Sequence, residues 1–575
     1  MSPTTTTTER KSAEEDLELD FHAEDVLDRP FDRRLARRLF RYVGPYRGSL
    51  LLSFALIIAS TLLGLISPVL VKEAVDGPLA SSGEFAASTW FRGLASSLGL
   101  PRLDGTPGGS AEELGAARAT WLWWIVGIYA ASLAIQFFLR YAQTVVMNRT
   151  GQSVMRDLRL ELFRHLQRQP ISYFQRHPVG RLVTRVTSDV EALNELFTSG
   201  VVNLLGDVLS IVGIAAIMFV YDPELAAVAL AVSPLLAGVT ILFRTMARRH
   251  YREIRRRIAF LSSYTQESIV GLPVIQLFGR EEARARGYER INEGYLLAYL
   301  RSIFWYAFFF PAVEILSIVA LALVLYDAGG RIEAGTLHLG SFFLFWIYLQ
   351  RFFEPVRDLA EKYNVLQAAM ASAERIFGIL DSDESTPNGA EARPTRIQSA
   401  IRFENVSFAY EPEKPVLRNV SFEIPVGSMV ALVGATGAGK STIINLLLRF
   451  YDPTEGRITI DGRDIRDLDL ESHRAAFGLV LQDVSIFSRT VRENIDLDRG
   501  LGDAELVRAA VGVNAMPFIE RLDVGMETAM RERGGSLSSG ERQLLSFARA
   551  LAGDPEVLVL DEATSHIDSE TEALI

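Results

Sequence analysis

Six apolar runs, each close to the twenty-odd residues a helix needs to cross a bilayer, constrain this chain more than any other feature. They fall near 48–72, 119–143, 197–221, 224–245, 303–327 and 338–360. A helix that is apolar all round is at home in lipid, where it satisfies its backbone groups internally. The sixth run, "GSFFLFWIYLQRFFEPVRDLA", is the least apolar. It is expected to leave the bilayer near Arg351–Pro355 and to continue as a cytoplasmic helix. Arginine placement orients the set. A basic stretch from Arg149 to Arg185 separates the second and third runs, and another from Arg244 to Arg290 separates the fourth and fifth. The connections "YDPE" and "DAGGRIEAGTLH" carry almost no basic charge. The two basic stretches and both chain ends are therefore expected in the cytoplasm.

Those stretches are too long for turns, and patterns such as "VMRDLRLELFRHLQR" and "YREIRRRIAFLSSYTQESIV" stay helical. The spans thus run on below the membrane, with one bend each at "QPISYFQRHPVGRL" and "SIVGLPVIQ". Each hairpin would carry a short exposed element at its tip, a handle for another domain. Before the first run, residues 31–47 set Phe31, Leu35, Leu39, Phe40 and Val43 at helical spacing among arginines, a basic amphipathic helix for the membrane surface. Residues 1–30, threonine-rich and then acidic, lack the apolar middle of a signal peptide and read as a solvated cytoplasmic tail. The first outer loop, 73–118, is rich in Gly, Ser, Ala and Pro. It is either poorly ordered or carries a short amphipathic helix at "WFRGLASSLGL". Ionisable groups inside spans are costly. Asp207 and Glu314, with the polar Gln136, either line a polar substrate path or pair with neighbouring helices.

Composition excludes several classes. A net charge of −11 argues against general nucleic-acid binding, and the absence of cysteine removes disulfides, thiol catalysis and cysteine-metal sites. No pair of the seven histidines has metal-motif spacing.

Beyond a polar linker at 381–399 the pattern changes. "IRFENVSFAY" and "VLRNVSFEI" alternate like strands, and "SMVALVGATGAGKSTIINLLLRF" reads as a buried strand, a glycine loop and a helix. The loop, Gly434-Ala435-Thr436-Gly437-Ala438-Gly439-Lys440-Ser441, is a complete phosphate-binding loop, followed by Thr442. Its glycines let backbone wrap phosphate oxygens, Lys440 neutralises the β- and γ-phosphates, and the Ser441 hydroxyl can ligate Mg²⁺. A second apolar strand, "VLVL", ends in Asp561 and Glu562. Asp561 is placed near Mg²⁺, and Glu562 can polarise the attacking water. A further stretch, "SLSSGERQ", opens a helix with small residues, which suits an anion, yet no lysine lies near it.

Together these motifs resemble the ATP-binding cassette transporters, specifically exporters with a six-span membrane domain fused to a C-terminal nucleotide-binding domain. The resemblance covers roughly residues 31–575. It implies a membrane α-helical six-span domain with long cytoplasmic helical extensions over 31–380. An α/β P-loop ATPase domain follows over 400–575, with an antiparallel β subdomain and a helical subdomain. It implies that Tyr410 stacks on adenine, that Gln482 senses Mg²⁺ and couples to the membrane domain, and that Glu532-Arg-Gly534 contacts the cytoplasmic helices. Ser565, His566, Ile567 and Asp568 would form the loop that crosses between two nucleotide domains. Leu537, Ser538, Ser539, Gly540 and Glu541 occupy the place of the signature usually written LSGGQ, which contacts ATP held by the partner subunit. That explains the missing lysine: it belongs to the other chain. Ser539 and Glu541 depart from the pattern. Ser539 still offers a backbone N–H, while Glu541 brings a negative charge near the ATP.

With one cassette and six spans, the chain is expected to be a half-transporter, pairing with a copy of itself or with a related subunit. The expected function is ATP-driven, Mg²⁺-dependent export of amphipathic small molecules across a bacterial-type plasma (inner) membrane, in contact with membrane lipids. Flipping of lipids or lipid-linked glycans, peptide export, and an ATP-gated channel or regulator are the alternatives. In the family a further strand with a switch histidine follows Asp568, so the nucleotide domain is expected to be C-terminally incomplete.

Overall fold

The computed structural model describes residues 33–80, 111–382, 384–391, 396–435, 437–531 and 534–561. The chain forms two compact units. One comprises the residues up to Phe163 together with Val183–Asp381; the other comprises Arg164–Leu182 together with the chain from Ser382 onward.

The first unit is helical. In chain order its helices are α1 (Arg33–Val43), α2 (Arg47–Asp76) and α3 (Ala111–Arg168), the last running on into the second unit, where α4 (Ile171–Arg176) follows. Then come α5 (Val179–Thr184), which starts in the second unit and ends in the first, α6 (Val190–Glu195), α7 (Val201–Tyr221), α8 (Pro223–Leu230) and α9 (Ser233–Val270). The last three are α10 (Leu272–Leu277), α11 (Glu281–Glu333) and α12 (Leu339–Leu380). The apolar runs near 119–143 and 303–327 lie inside helices of 58 and 53 residues. The helical pattern therefore continues far past any bilayer, because arginine-rich surface is a good helix former in water. Chain breaks fall where proline or glycine forces them, at Pro170, at His177–Pro178 and at Gly271.

Among the described residues, five helical stretches are long and apolar enough to cross a membrane: Arg34–Asp76, Gly115–Arg168, Val179–Tyr221, Pro223–Val270 and Glu281–Glu333. Helix α12 falls below that apolarity, as the least apolar of the six expected runs should. Many of its apolar residues face inward. Phe342, Leu344, Phe345, Tyr348, Leu349, Phe352 and Phe353 are buried in the unit's largest core, with Phe309, Val313 and Ala320 of α11 and Met218 of α7. A helix that buries one stripe in protein does not need an all-apolar circumference.

Helix α1 buries Ala36, Leu39 and Val43. Its Arg38 lies over the Phe377 ring of α12, 4.3 Å from the centroid, and pairs with Asp381 at 2.6 Å. This unit also buries charge. At the end of α2, Lys72 sits 3.3 Å from Glu73 and 3.2 Å from Asp76, all three buried. Asp76 accepts the backbone N–H of Gly340 at 2.5 Å, supplying an orphan donor of the first turn of α12 with an acceptor from another helix.

The second unit holds β1 (Ala400–Glu411), β2 (Lys414–Pro425), α13 (Lys440–Leu447), β3 (Glu455–Ile460), β4 (Arg463–Asp464), α14 (Leu470–Ala475) and β5 (Phe477–Val480). It continues with α15 (Val491–Asp496), α16 (Asp503–Gly512), α17 (Met516–Ile519), α18 (Ser539–Ala552) and β6 (Val557–Leu560). An antiparallel sheet has the order β2-β1-β3-β4, and β5 pairs in parallel with β6. Across β1 and β2, Phe403 stacks on Phe422 with ring centroids 4.4 Å apart. Helices α15 to α18 enclose a core of their own around Leu506, Phe518, Leu545 and Phe547.

One expected strand differs. Residues 428–434 run as irregular backbone, with Met429 and Val433 exposed. A parallel strand draws its entire ladder from non-local neighbours. Among the described residues this segment has no such ladder, so its apolar composition alone does not make it a strand.

Candidate functional site

The phosphate loop turns into α13 through two left-handed glycines, Gly437 at φ 83° and Gly439 at φ 93°. Gly439 is constrained twice, because a Cβ there would also lie 2.7 Å from the Leu417 side chain of β2. The N–H groups of α13's first turn open toward the loop, the arrangement that binds phosphate. Lys440, at the helix start, folds its ammonium back to donate to the Gly434 carbonyl at 2.7 Å. The ammonium is thus held over the loop where phosphate charge would lie. Between Gly434 and Gly439 the Ala438 N–H donates to the Ala435 carbonyl at 3.0 Å.

The next residue, Ser441, donates its hydroxyl to Asp561, 3.2 Å from Oδ2. Residues 120 positions apart are brought together because α13 starts where β6 ends, and the Asp561 N–H is fixed by the Val480 carbonyl of β5 at 3.0 Å. A hydroxyl and a carboxylate at this spacing are hard oxygen donors of the kind Mg²⁺ takes beside a phosphate. Gln482 follows two residues after β5, past the same strand end as Asp561, since Val480 is in register with Leu560.

Tyr410 ends the other side of the site. Its hydroxyl donates to Thr442 Oγ1 at 3.2 Å and accepts from Asn445 Nδ2 at 3.1 Å, both on α13. Its ring packs edge-to-face on Phe408 and on Tyr451, at 4.9 and 5.1 Å. The ring is thereby fixed beside the loop while remaining 42% exposed, free to stack on a base.

The second anion element lies at the start of α18. Ser538 is its N-cap, its Oγ accepting from the Glu541 N–H at 3.3 Å while the Glu541 carboxylate accepts from the Ser538 N–H at 2.9 Å. The Ser538 hydroxyl donates to the same carboxylate oxygen at 2.9 Å. Ser539 and Gly540 form the first helical positions, and Leu537 is buried beneath them. Among the described residues, no hydrogen bond joins this element to the phosphate loop of its own chain. Glu541 is thus the partner that closes a capping box, a role legible in the spacing Ser-x-x-Glu but not drawn from it.

The membrane unit's predicted residues divide. Asp207 pairs with Lys362 of α12, the neighbouring-helix alternative. Glu314 is exposed on α11, with no hydrogen bond or ion pair among the described residues. Gln136 donates to the Ser60 carbonyl of α2 at 3.1 Å. Thr436, Glu532, Glu562, Ser565, His566, Ile567 and Asp568 lie outside the described residues.

Residues 50–356 match the family model of the ABC transporter transmembrane region, and residues 417–565 match the family model described as ABC transporter. The chain belongs to the ABC transporter family. An uncharacterized ABC transporter ATP-binding protein, YknV of Bacillus subtilis, is 36% identical over 96% of this chain and 87% of its own. An ATP-dependent lipid A-core flippase of Desulfotalea psychrophila is 34% identical over 76% of each chain. A bacterial Atm1-family ABC exporter solved with ATP bound has a TM-score of 0.69 at 26% identity, covering 95% of this chain and 88% of that one. This ABC transporter is accordingly a membrane exporter, with a helical transmembrane domain fused to an ATPase domain. It binds ATP, couples ATP hydrolysis to transport, and works with a second half-transporter.

Proposed function

We propose that this ABC transporter exports hydrophobic or amphipathic small molecules across the plasma membrane, using Mg²⁺-ATP held between two cassettes. The observation that carries the nucleotide part is the Ser441 hydroxyl on Asp561, under a loop whose lysine is already folded over it. In this reading Lys440 and the loop backbone hold the phosphates, Ser441, Gln482 and Asp561 hold Mg²⁺, and Tyr410 stacks on adenine. When bound there, Mg²⁺ would supply charge neutralisation at the transferred phosphoryl group. Glu562 polarises the attacking water. Leu537, Ser538, Ser539, Gly540 and Glu541 face the ATP of the partner subunit, with residues 565–568 crossing between the two cassettes.

The domain limits proposed are 31–380 for the membrane domain, 381–399 for the linker and 400–575 for the cassette, with both chain ends cytoplasmic. The substrate class is supported by relatives named for multidrug efflux, among them one of Mycobacterium bovis at 32% identity over 94% of this chain and 42% of its own. The exposed Glu314, in the middle of an apolar span, fits a cargo with a polar end or a polar path. The lipid A-core flippase relatives keep lipid flipping as the second reading. Inside-out vesicles separate the two. Uphill accumulation of a fluorescent amphipathic dye, lost in Glu562→Gln, supports small-molecule export. ATP-dependent movement of a labelled lipid between leaflets, without dye accumulation, supports the flippase.

A further inference from the structure

The cassette's first described contact with a hairpin tip runs through an aromatic side chain that no motif singles out. Tyr451 follows the turn after α13, where the Thr454 N–H is tied to the Ser407 carbonyl of β1 at 2.9 Å. Its ring forms one side of the cluster with Phe408 and Tyr410, crossing Tyr410 at 90°. Its hydroxyl points the other way and donates to Gln175 Oε1 on α4 at 2.5 Å.

Helix α4 is the bend of the first basic hairpin, joined to α3 through Gln169 and Pro170. Its far side is anchored to the start of the linker. Arg176 pairs with Glu384, and Gln169 donates to the Ser382 carbonyl at 2.9 Å. Within the tip, His177 stacks on the buried Tyr173 at 4.2 Å. The tip is therefore a stiff element held at two points, one on the linker and one on Tyr451.

We propose that Tyr451 is a positioning residue that reports occupancy of the base site to the hairpin tip through Tyr410, Tyr451 and Gln175. It rests on the reading of Tyr410 as the adenine platform. A base stacking on Tyr410 covers an exposed ring whose hydroxyl is pinned to Thr442 and Asn445. The ring adjusts by tilting about that pinned end, and its edge-to-face neighbour tilts with it. Close-packed rings transmit a displacement rather than absorbing it. A single hydrogen bond then passes the tilt to α4. This signal depends on the base, so it is separate from any signal carried by the phosphates.

The chain lacks cysteine, so one introduced thiol reports alone. A nitroxide on Ser172→Cys, in full-length protein in lipid nanodiscs, is titrated with the nonhydrolysable β,γ-imido analogue of ATP. It is titrated separately with inorganic tripolyphosphate, at concentrations that compete fully with ATP hydrolysis. The ATP analogue is expected to change the spectrum, and tripolyphosphate to give less than a third of that change. Tyr451→Phe, which keeps the ring, and Gln175→Ala should each cut the analogue's response at least three-fold, and the double variant no further. Gln175→Ala should leave the KM for ATP within two-fold of wild type. An equal response to tripolyphosphate, or a full response in both variants, overturns the relay. The platform reading fails separately: Tyr410→Ala should raise the KM at least five-fold, and an unchanged KM removes it.

Discussion

At the level of single residues, the phosphate loop makes the most exacting demands. Gly439→Ala forces both a left-handed backbone and a clash with Leu417. We expect about 1–3 kcal/mol of lost cassette stability, read from thermal unfolding, with ATP binding lost in step. Lys440→Ala should leave the fold intact and remove ATP binding, measured with a fluorescent nucleotide. Glu562→Gln should bind ATP normally and slow turnover by about 10²–10⁴-fold, the usual worth of a positioned general base. These residues were legible because their chemistry dictates both type and spacing. Glycine is needed where φ is positive, lysine where charge meets phosphate, and a carboxylate where an apolar strand meets the loop. Tyr451 and Gln175 were not legible, because an edge-to-face contact and a hydrogen bond across 276 positions leave no local pattern. The same holds for Asp189. Its carboxylate accepts from Arg185 at 2.8 Å, Ser372 at 2.9 Å and Arg375 at 2.5 Å, tying the segment before α6 to α12.

At the level of elements, helix ends carry much of the specificity. Thr490 caps α15 through a full capping box with Glu493. The Thr490 backbone N–H and then its hydroxyl bind the Glu493 carboxylate, and they hold its pKa below the ordinary range. A carboxylate with a depressed folded pKa contributes stability above its unfolded value, and that contribution fades as pH falls through the folded value. Thr490→Ala should therefore lower the cassette's melting temperature by about 2–4 °C at neutral pH, with the difference from wild type shrinking toward pH 3. In the membrane unit, Gly340→Ala would place a Cβ 2.5 Å from the Asp76 carboxylate and push α12 off the end of α2. A lower melting temperature for the detergent-solubilised chain is expected, whereas an unchanged one would mean that the Asp76 contact is dispensable. Periodicity marked the helices well, since their apolar stripes repeat over many turns. It marked α12 more weakly, because many of its apolar residues serve a protein core and the rest of its surface is less apolar. The segment 428–434 is a different case: a strand's apolar composition says nothing of which neighbours will complete its ladder.

At the level of the whole molecule, the two anion elements of one cassette are each half of something. The phosphate loop has its lysine, its hydroxyl and its carboxylate, while the start of α18 has a capped serine and, among the described residues, no bond to the lysine of its own loop. Glu541 holds the Ser538 hydroxyl within the chain, so engaging a partner's ATP means exchanging that bond for one to phosphate. In the proposed reading two complete sites require two chains, and their closure moves the hairpins. The most direct measurement mixes two purified, individually silent variants, Lys440→Ala and Ser538→Arg, allows subunits to exchange, and follows ATP hydrolysis. The account predicts that activity returns on mixing, because each mixed dimer holds one intact loop facing one intact signature. A mixture as silent as its parents, or a Ser538→Arg protein that hydrolyses ATP at the wild-type rate by itself, would contradict it.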